Sequence, residues 1–228
     1  MSHFTVYVFS NNDGADVEDL LAPYNEGIEA SSYVKYTKKQ AIAKVRKEIE
    51  DYKHDLYAEF LADPEAYKEK AKKTAFNEER YKSHINYLEN EFPKRLNWTD
   101  EECYEEEAKW YKDDDMIDAD GNLLSTYNPK SKWDWYEEGG RWSGSLITKG
   151  NTKTNKDFVS EIDWEKTPYP FAFITPDGEW YERGKMGWWA CVSDKKDADS
   201  WKKEYKSAID KMLKENEDVV VTLIDCHI

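Results

Sequence analysis

The chain is predicted to be an α+β protein. It should hold a small sheet pairing its N- and C-terminal strands, a Trp-rich β-hairpin segment and an inserted antiparallel helical run. Three observations carry this. HFTVYVF at 3–9 and VVVTLIDCHI at 219–228 are β-branched and aromatic, as strands are. Between residues 37 and 112, apolar residues step by three and four, the spacing of helix faces. From residue 113 to about 193 that period stops, and Gly, Trp and turn signals take over. Residues 1–228 read as one α+β domain, with a helical insertion at about 37–112 and a Trp-rich β segment at about 120–193.

The first strand is followed by SNNDGADVEDLLAPYNEGIEA, which holds six acids and no base. This is a loop turning at Asn12-Asp13-Gly14, with a helical turn at Val17 to Leu21. Thr37 and Gln40 form a capping box. Ile42, Val45, Ile49, Tyr52, Leu56 and Phe60 then line one helix ending near Ala62. Asp63-Pro64 restarts the helix, with Asp as cap and Pro in the first turn. Tyr67, Ala71, Tyr81, Ile85, Leu88 and Phe92 mark its face as far as Pro93. Thr99 caps a third helix through Tyr104, Ala108 and Tyr111. Further on, FAFIT–PDG–EWYER reads as a hairpin, and MGWWACVS as another strand. Ser200 to Asn216 is a helix with Trp201, Tyr205, Ala208 and Met212 on one side.

Composition limits the function classes. With 48 acids against 33 bases the net charge is −15, which disfavours nucleic acid and anionic membrane as direct partners. Three scattered cysteines, Cys103, Cys191 and Cys226, suit neither a disulfide framework nor a zinc knuckle, and fit a reducing cytoplasm. No run approaches 18 apolar residues, and MSHFTVYVF lacks a basic segment ahead of an apolar one, so neither a membrane span nor a signal peptide is expected. Aromatics make up 15 % of the chain. Much of the core must therefore be ring, with Tyr and Trp polar atoms needing partners.

Several motifs bear on chemistry. DDDMIDADGN resembles a calcium loop but fails as one. Counting from Gly121 puts Met116 at the first ligand position and Tyr127 at the twelfth. Gly139-Gly140 belongs to no phosphate-loop pattern and reads as a hairpin turn, or as a place where a ligand nears the backbone. His54 and His84 fall in helices as ordinary surface or boundary histidines. In the last strand, alternation puts Val219, Val221, Leu223, Asp225 and His227 on one face. His3 shares a face with Thr5 and Tyr7. His3, Asp225 and His227 are residue types that bind a metal or do acid–base work. Parallel neighbours would put His3 near His227, and antiparallel ones at the opposite end. No cofactor and no specific metal site is predicted.

Trp133, Trp135, Trp142, Trp164, Trp180, Trp188 and Trp189 crowd into 57 residues, beside Arg141 and Arg183. Rings for stacking and guanidinium for phosphate are the parts of a nucleotide site. Trp133, Trp135, Arg141, Trp142, Glu182 and Arg183 are the expected ligand contacts, with Trp133 and Trp135 forming one wall and Arg141 turned toward the ligand. Residues 100–120 hold eleven acids against Lys109 and Lys112, a surface for a basic host protein.

MSHFTV, LAPYNE, STYNPKSKWDWYEEGGRWSG, DGEWYERGKMGWW and the terminal DCHI resemble a family of small, uncharacterised tailed-bacteriophage proteins. The match spans both ends and most of 120–190, and is weak through 35–112. Glu138 stands where family members carry Ile before the double glycine. The resemblance implies an accessory protein of the host bacterial cytoplasm that counters host defence. The leading expectation is a binder that sequesters a small nucleotide-like ligand. The alternatives are a hydrolase of such a ligand using His3, Asp225 and His227, and an acidic inhibitor docking on a basic host effector.

Overall fold

A computed structural model describes residues 2–11, 16–112, 114–187, 191–215 and 218–228. The expected turn at Asn12–Gly14, the rings of Trp188 and Trp189, and Asn216 lie outside the described residues. The fold is α+β, as predicted. Its contacts divide the chain into two compact units, one of residues 1–30 and 127–228, the other of residues 31–126.

In the first unit the N-terminal strand His3–Asn11 and the C-terminal strand Val219–His227 form the centre of a mixed sheet. They pair antiparallel over their whole length, with Phe4 against Cys226 and Val6 against Ile224. Ala172–Ile174 runs parallel to the first strand and carries Trp180–Glu182 on its far side as the expected hairpin. Trp135–Glu138 and Lys156–Phe158 share the outer edge of the last strand, one toward each end. All nine residues of the last strand are buried, as a central strand covered on both faces must be.

One face packs Tyr7, Phe9, Val219, Val221 and Leu223 under the helix Ala198–Glu215, through Trp201, Tyr205, Ile209 and Met212. The other packs Phe4, Val6, Val8, Ile224 and Cys226 under Leu20, Leu21, Tyr24 and Trp133. The antiparallel pairing overturns one expectation. It lays the start of the first strand beside the end of the last, so His3 lies opposite His227 rather than at the far end.

In the second unit both capping boxes form, at Thr37–Gln40 and Thr99–Glu102. Two expected helices are each broken in two. Lys38–His54 and Leu56–Ala62 are separated at Asp55, whose backbone leaves the helical region. Pro64–Thr74 and Glu78–Asn86 are separated where Ala75 is extended and the Asn77 side chain accepts from the Arg80 N–H. Asn prefers such a local bond to a place inside a helix. The apolar stripe survives both breaks, and Phe60, Tyr67, Ile85 and Leu88 still meet in one cluster. Tyr33–Tyr36 pairs with Leu123–Ser125, a strand pair that the sequence reading missed. No helix among the described residues is long and apolar enough to cross a membrane.

Candidate functional site

The end of the sheet where the chain's first and last strands meet gathers two histidines and two carboxylates. His3 and His227 are register partners, and their rings stand 5.0 Å apart, edge to face. His3 Nδ1 lies 2.9 Å from Oδ1 of Asp225. His227 Nδ1 lies 2.6 Å from Oδ1 of Asp134. A carboxylate only accepts, so each Nδ1 carries the proton and donates. Each neutral ring is thereby held in the tautomer whose Nε2 has a lone pair. Nε2 of His227 is buried and has no hydrogen-bond partner among the described residues.

Asp225 is 1 % exposed, and a carboxylate buried that deeply needs donors on both oxygens. Oδ1 accepts from His3, and Oδ2 accepts from the backbone N–H of Arg141 at 3.0 Å. The double glycine makes this approach possible. Gly140 sits at φ +45°, and a Cβ there would overlap the Cβ and carboxylate of Asp225. Gly139, at φ +74°, would collide with the carboxamide of Asn155. Asn155 in turn holds the Gly144 N–H, and its own carbonyl accepts from the Leu223 N–H. The Gly pair is a seam pressed onto the last strand. The expected hairpin turn is absent, because Gly140–Trp142 enters a short 3-10 turn instead.

Trp135 completes the cluster. Its ring stacks on His227 at 5.2 Å and 17°, meets His3 edge-on at 5.4 Å, and remains 43 % exposed. Asp134 Oδ1 also caps the Trp135 N–H, so one carboxylate fixes both the backbone and the imidazole. Burial, together with the nearby Asp225 and Asp134, pushes the neighbouring Cys226 thiol well above its ordinary value, so it stays protonated and inert.

The expected ligand contacts do not converge. Trp133 is buried against the Phe4–Cys226 face and donates Nε1–H to the Leu21 carbonyl. Trp135 lies on His227, whose side chain points to the opposite face from Cys226. The backbone bends at Asp134 between the two, so the single wall expected of an extended run does not form. Trp142 packs at the margin of the Tyr7–Tyr205 cluster. Glu182, on the edge strand, is tied to Lys132 at 2.8 Å and accepts from Trp180 Nε1. Arg183 is half-buried, with its Nε unpaired among the described residues. Of the six, Trp135 adjoins both histidines, and Arg141 reaches the cluster through its backbone N–H on Asp225. The sequence pattern does not single out Asp134, and only the fold brings it to His227.

The acidic stretch 100–120 is also changed by folding. Asp100 pairs with Arg46, Glu101 with Lys38, Glu106 with Arg95 and Glu107 with Lys44, so these four of its eleven acids are paired within the helical unit. Comparison of the chain with family models, with curated proteins and with solved structures finds no match.

Proposed function

We propose that the meeting point of the terminal strands is a general acid–base centre acting on a phosphoester of a nucleotide-like ligand. The observation that carries this reading is the pair of carboxylate-anchored imidazoles, one with a buried Nε2 that no atom of the described residues satisfies. In such a pair, one neutral Nε2 takes the proton of the attacking oxygen as the new P–O bond forms. The other ring, protonated, gives its Nε2 proton to the leaving oxygen as the old bond breaks. Asp225 and Asp134 stabilise whichever ring is cationic. Each carboxylate costs no reorganisation, because each is already hydrogen-bonded in place.

Trp135 supplies an exposed ring face for a base to stack on. Arg141 is exposed and makes no ion pair among the described residues, and its amide is anchored on Asp225. An exposed guanidinium in the segment anchored beside Asp225 is the group we assign to the phosphate. Because Nε2 of His227 is shielded, a substrate reaches it only as surrounding side chains give way, and Trp135 is the exposed one. The scattering of Trp133, Trp142, Glu182 and Arg183 favours catalysis at this site over sequestration in a shared aromatic pocket. The resemblance to tailed-phage proteins supports a signalling nucleotide of host defence as the natural substrate class.

The test is turnover of bis(4-nitrophenyl) phosphate and of cyclic dinucleotides by purified protein, with products separated by anion-exchange chromatography. New phosphomonoester product, lost in His227→Ala, supports the proposal. Intact substrate at every pH from 5 to 9 opposes it.

A further inference from the structure

We infer that the helical unit carries a second ligand site, one that takes a planar aromatic ring bearing an anionic group. A cavity of about 610 Å³ opens among the helices Leu56–Ala62, Pro64–Thr74 and Glu78–Asn86. That size falls within the range of small-molecule sites. Its walls carry the rings of Tyr67, Tyr81, His84 and Tyr87, and its cations are Lys70 and Arg80. Glu59 is the one lining carboxylate, and it is engaged by Lys70 at 2.6 Å. Arg80 makes no ion pair among the described residues. In a chain of net charge −15, a cavity with an unpaired guanidinium and four rings is an exception that selects an anion with a flat face.

Two further observations place polar chemistry on its wall. Tyr67 OH and His84 Nε2 lie 3.1 Å apart. Burial keeps the Tyr67 phenol protonated, and the two groups share a hydrogen bond whose direction follows the His84 tautomer. Secondly, the helix widens into a π turn that begins at Tyr87, with the Phe92 N–H bonded to the Tyr87 carbonyl five residues back. Pro93 has no N–H to offer the Glu89 carbonyl, which accounts for the break in the regular ladder. Turns of this kind recur at ligand sites. Here the turn starts on the cavity wall.

The experiment titrates phenyl phosphate into the full chain by calorimetry, with benzamidine as a cation of the same shape. Saturable binding of phenyl phosphate, weakened about tenfold or more in Arg80→Gln and unchanged in His3→Ala, is the expected result. Arg80 is exposed, so this variant should fold, and an unchanged melting temperature checks that it does. Equal affinity for benzamidine would overturn the inference. So would wild-type affinity in Arg80→Gln, or loss of binding in His3→Ala, which would move the phosphate to the terminal-strand site.

Discussion

His3 stands opposite His227 in the antiparallel pair formed by the first and last strands, and their rings are 5.0 Å apart. Each ring is anchored through Nδ1 on a carboxylate from a different part of the chain, Asp225 from the last strand and Asp134 from the edge segment. Residues 224 positions apart in sequence thus become one chemical unit through strand register alone. The same register leaves Asp225 between His3 and the Arg141 amide.

The double glycine should be indispensable at one of its two positions above all. Gly140→Ala forces a side chain into positive φ, a strain of about 1–3 kcal/mol, and drives its methyl into buried Asp225. Chemical denaturation should show a loss of at least that size. Gly150→Ala, where the nearest neighbour to an added Cβ is Thr148 Oγ1 at 3.6 Å, should change stability by under about 0.5 kcal/mol. Equal effects of the two would remove the close approach as the reason for the pair.

Trp133 and Trp135, two residues apart, should part company under mutation. Trp133→Ala empties a core position and loses an indole hydrogen bond, so a cost of about 3–5 kcal/mol is expected. Trp135→Ala removes a ring that is 43 % exposed, so its cost should be well below that of Trp133→Ala while turnover falls. Melting curves and rates for both variants decide this. A Trp135→Ala protein with full stability and full activity would take the ring out of the site.

Two buried tyrosines give opposite expectations. Tyr7 OH donates to the Pro168 carbonyl at 2.9 Å, so Tyr7→Phe should cost about 0.5–1.5 kcal/mol. Tyr205 OH is buried with no partner among the described residues, so Tyr205→Phe should be neutral or stabilising. Burial raises both phenols above the ordinary tyrosine value. The unfolded chain ionises near pH 10 while the folded one holds its protons, so their share of stability is present below that pH and falls as pH rises above it. The melting temperature of wild type should therefore drop above about pH 10, and the drop should shrink in Tyr205→Phe. An identical alkaline drop in that variant would contradict the account.

Much of the architecture was legible because it rests on local patterns. The β-branched terminal strands, the Thr37 and Thr99 caps and the FAFIT–EWYER hairpin each follow from composition over a few residues. The helix breaks at Asp55 and Ala75 were not legible, since the apolar stripe runs through both without interruption. The site was half legible. Alternation put Asp225 and His227 on one face, but the pairing of His3 with them depends on strand direction, which periodicity does not encode. Trp133 and Trp135 were read as one wall because the bend at Asp134 leaves no mark in the pattern. Asp134 itself is one acid among 48, and only the fold brings it to His227.

The most direct test of the central claim is the rate of phosphodiester cleavage in His3→Ala, His227→Ala and the double variant, measured with bis(4-nitrophenyl) phosphate across pH 5–9. Two histidines working as one acid–base pair should each lose about 10²–10⁴ in kcat when removed. The double variant should be little worse than either single one, because groups acting as a unit are not additive. Single variants that keep the wild-type rate, or losses that simply multiply, would contradict a shared centre at the meeting of the two terminal strands.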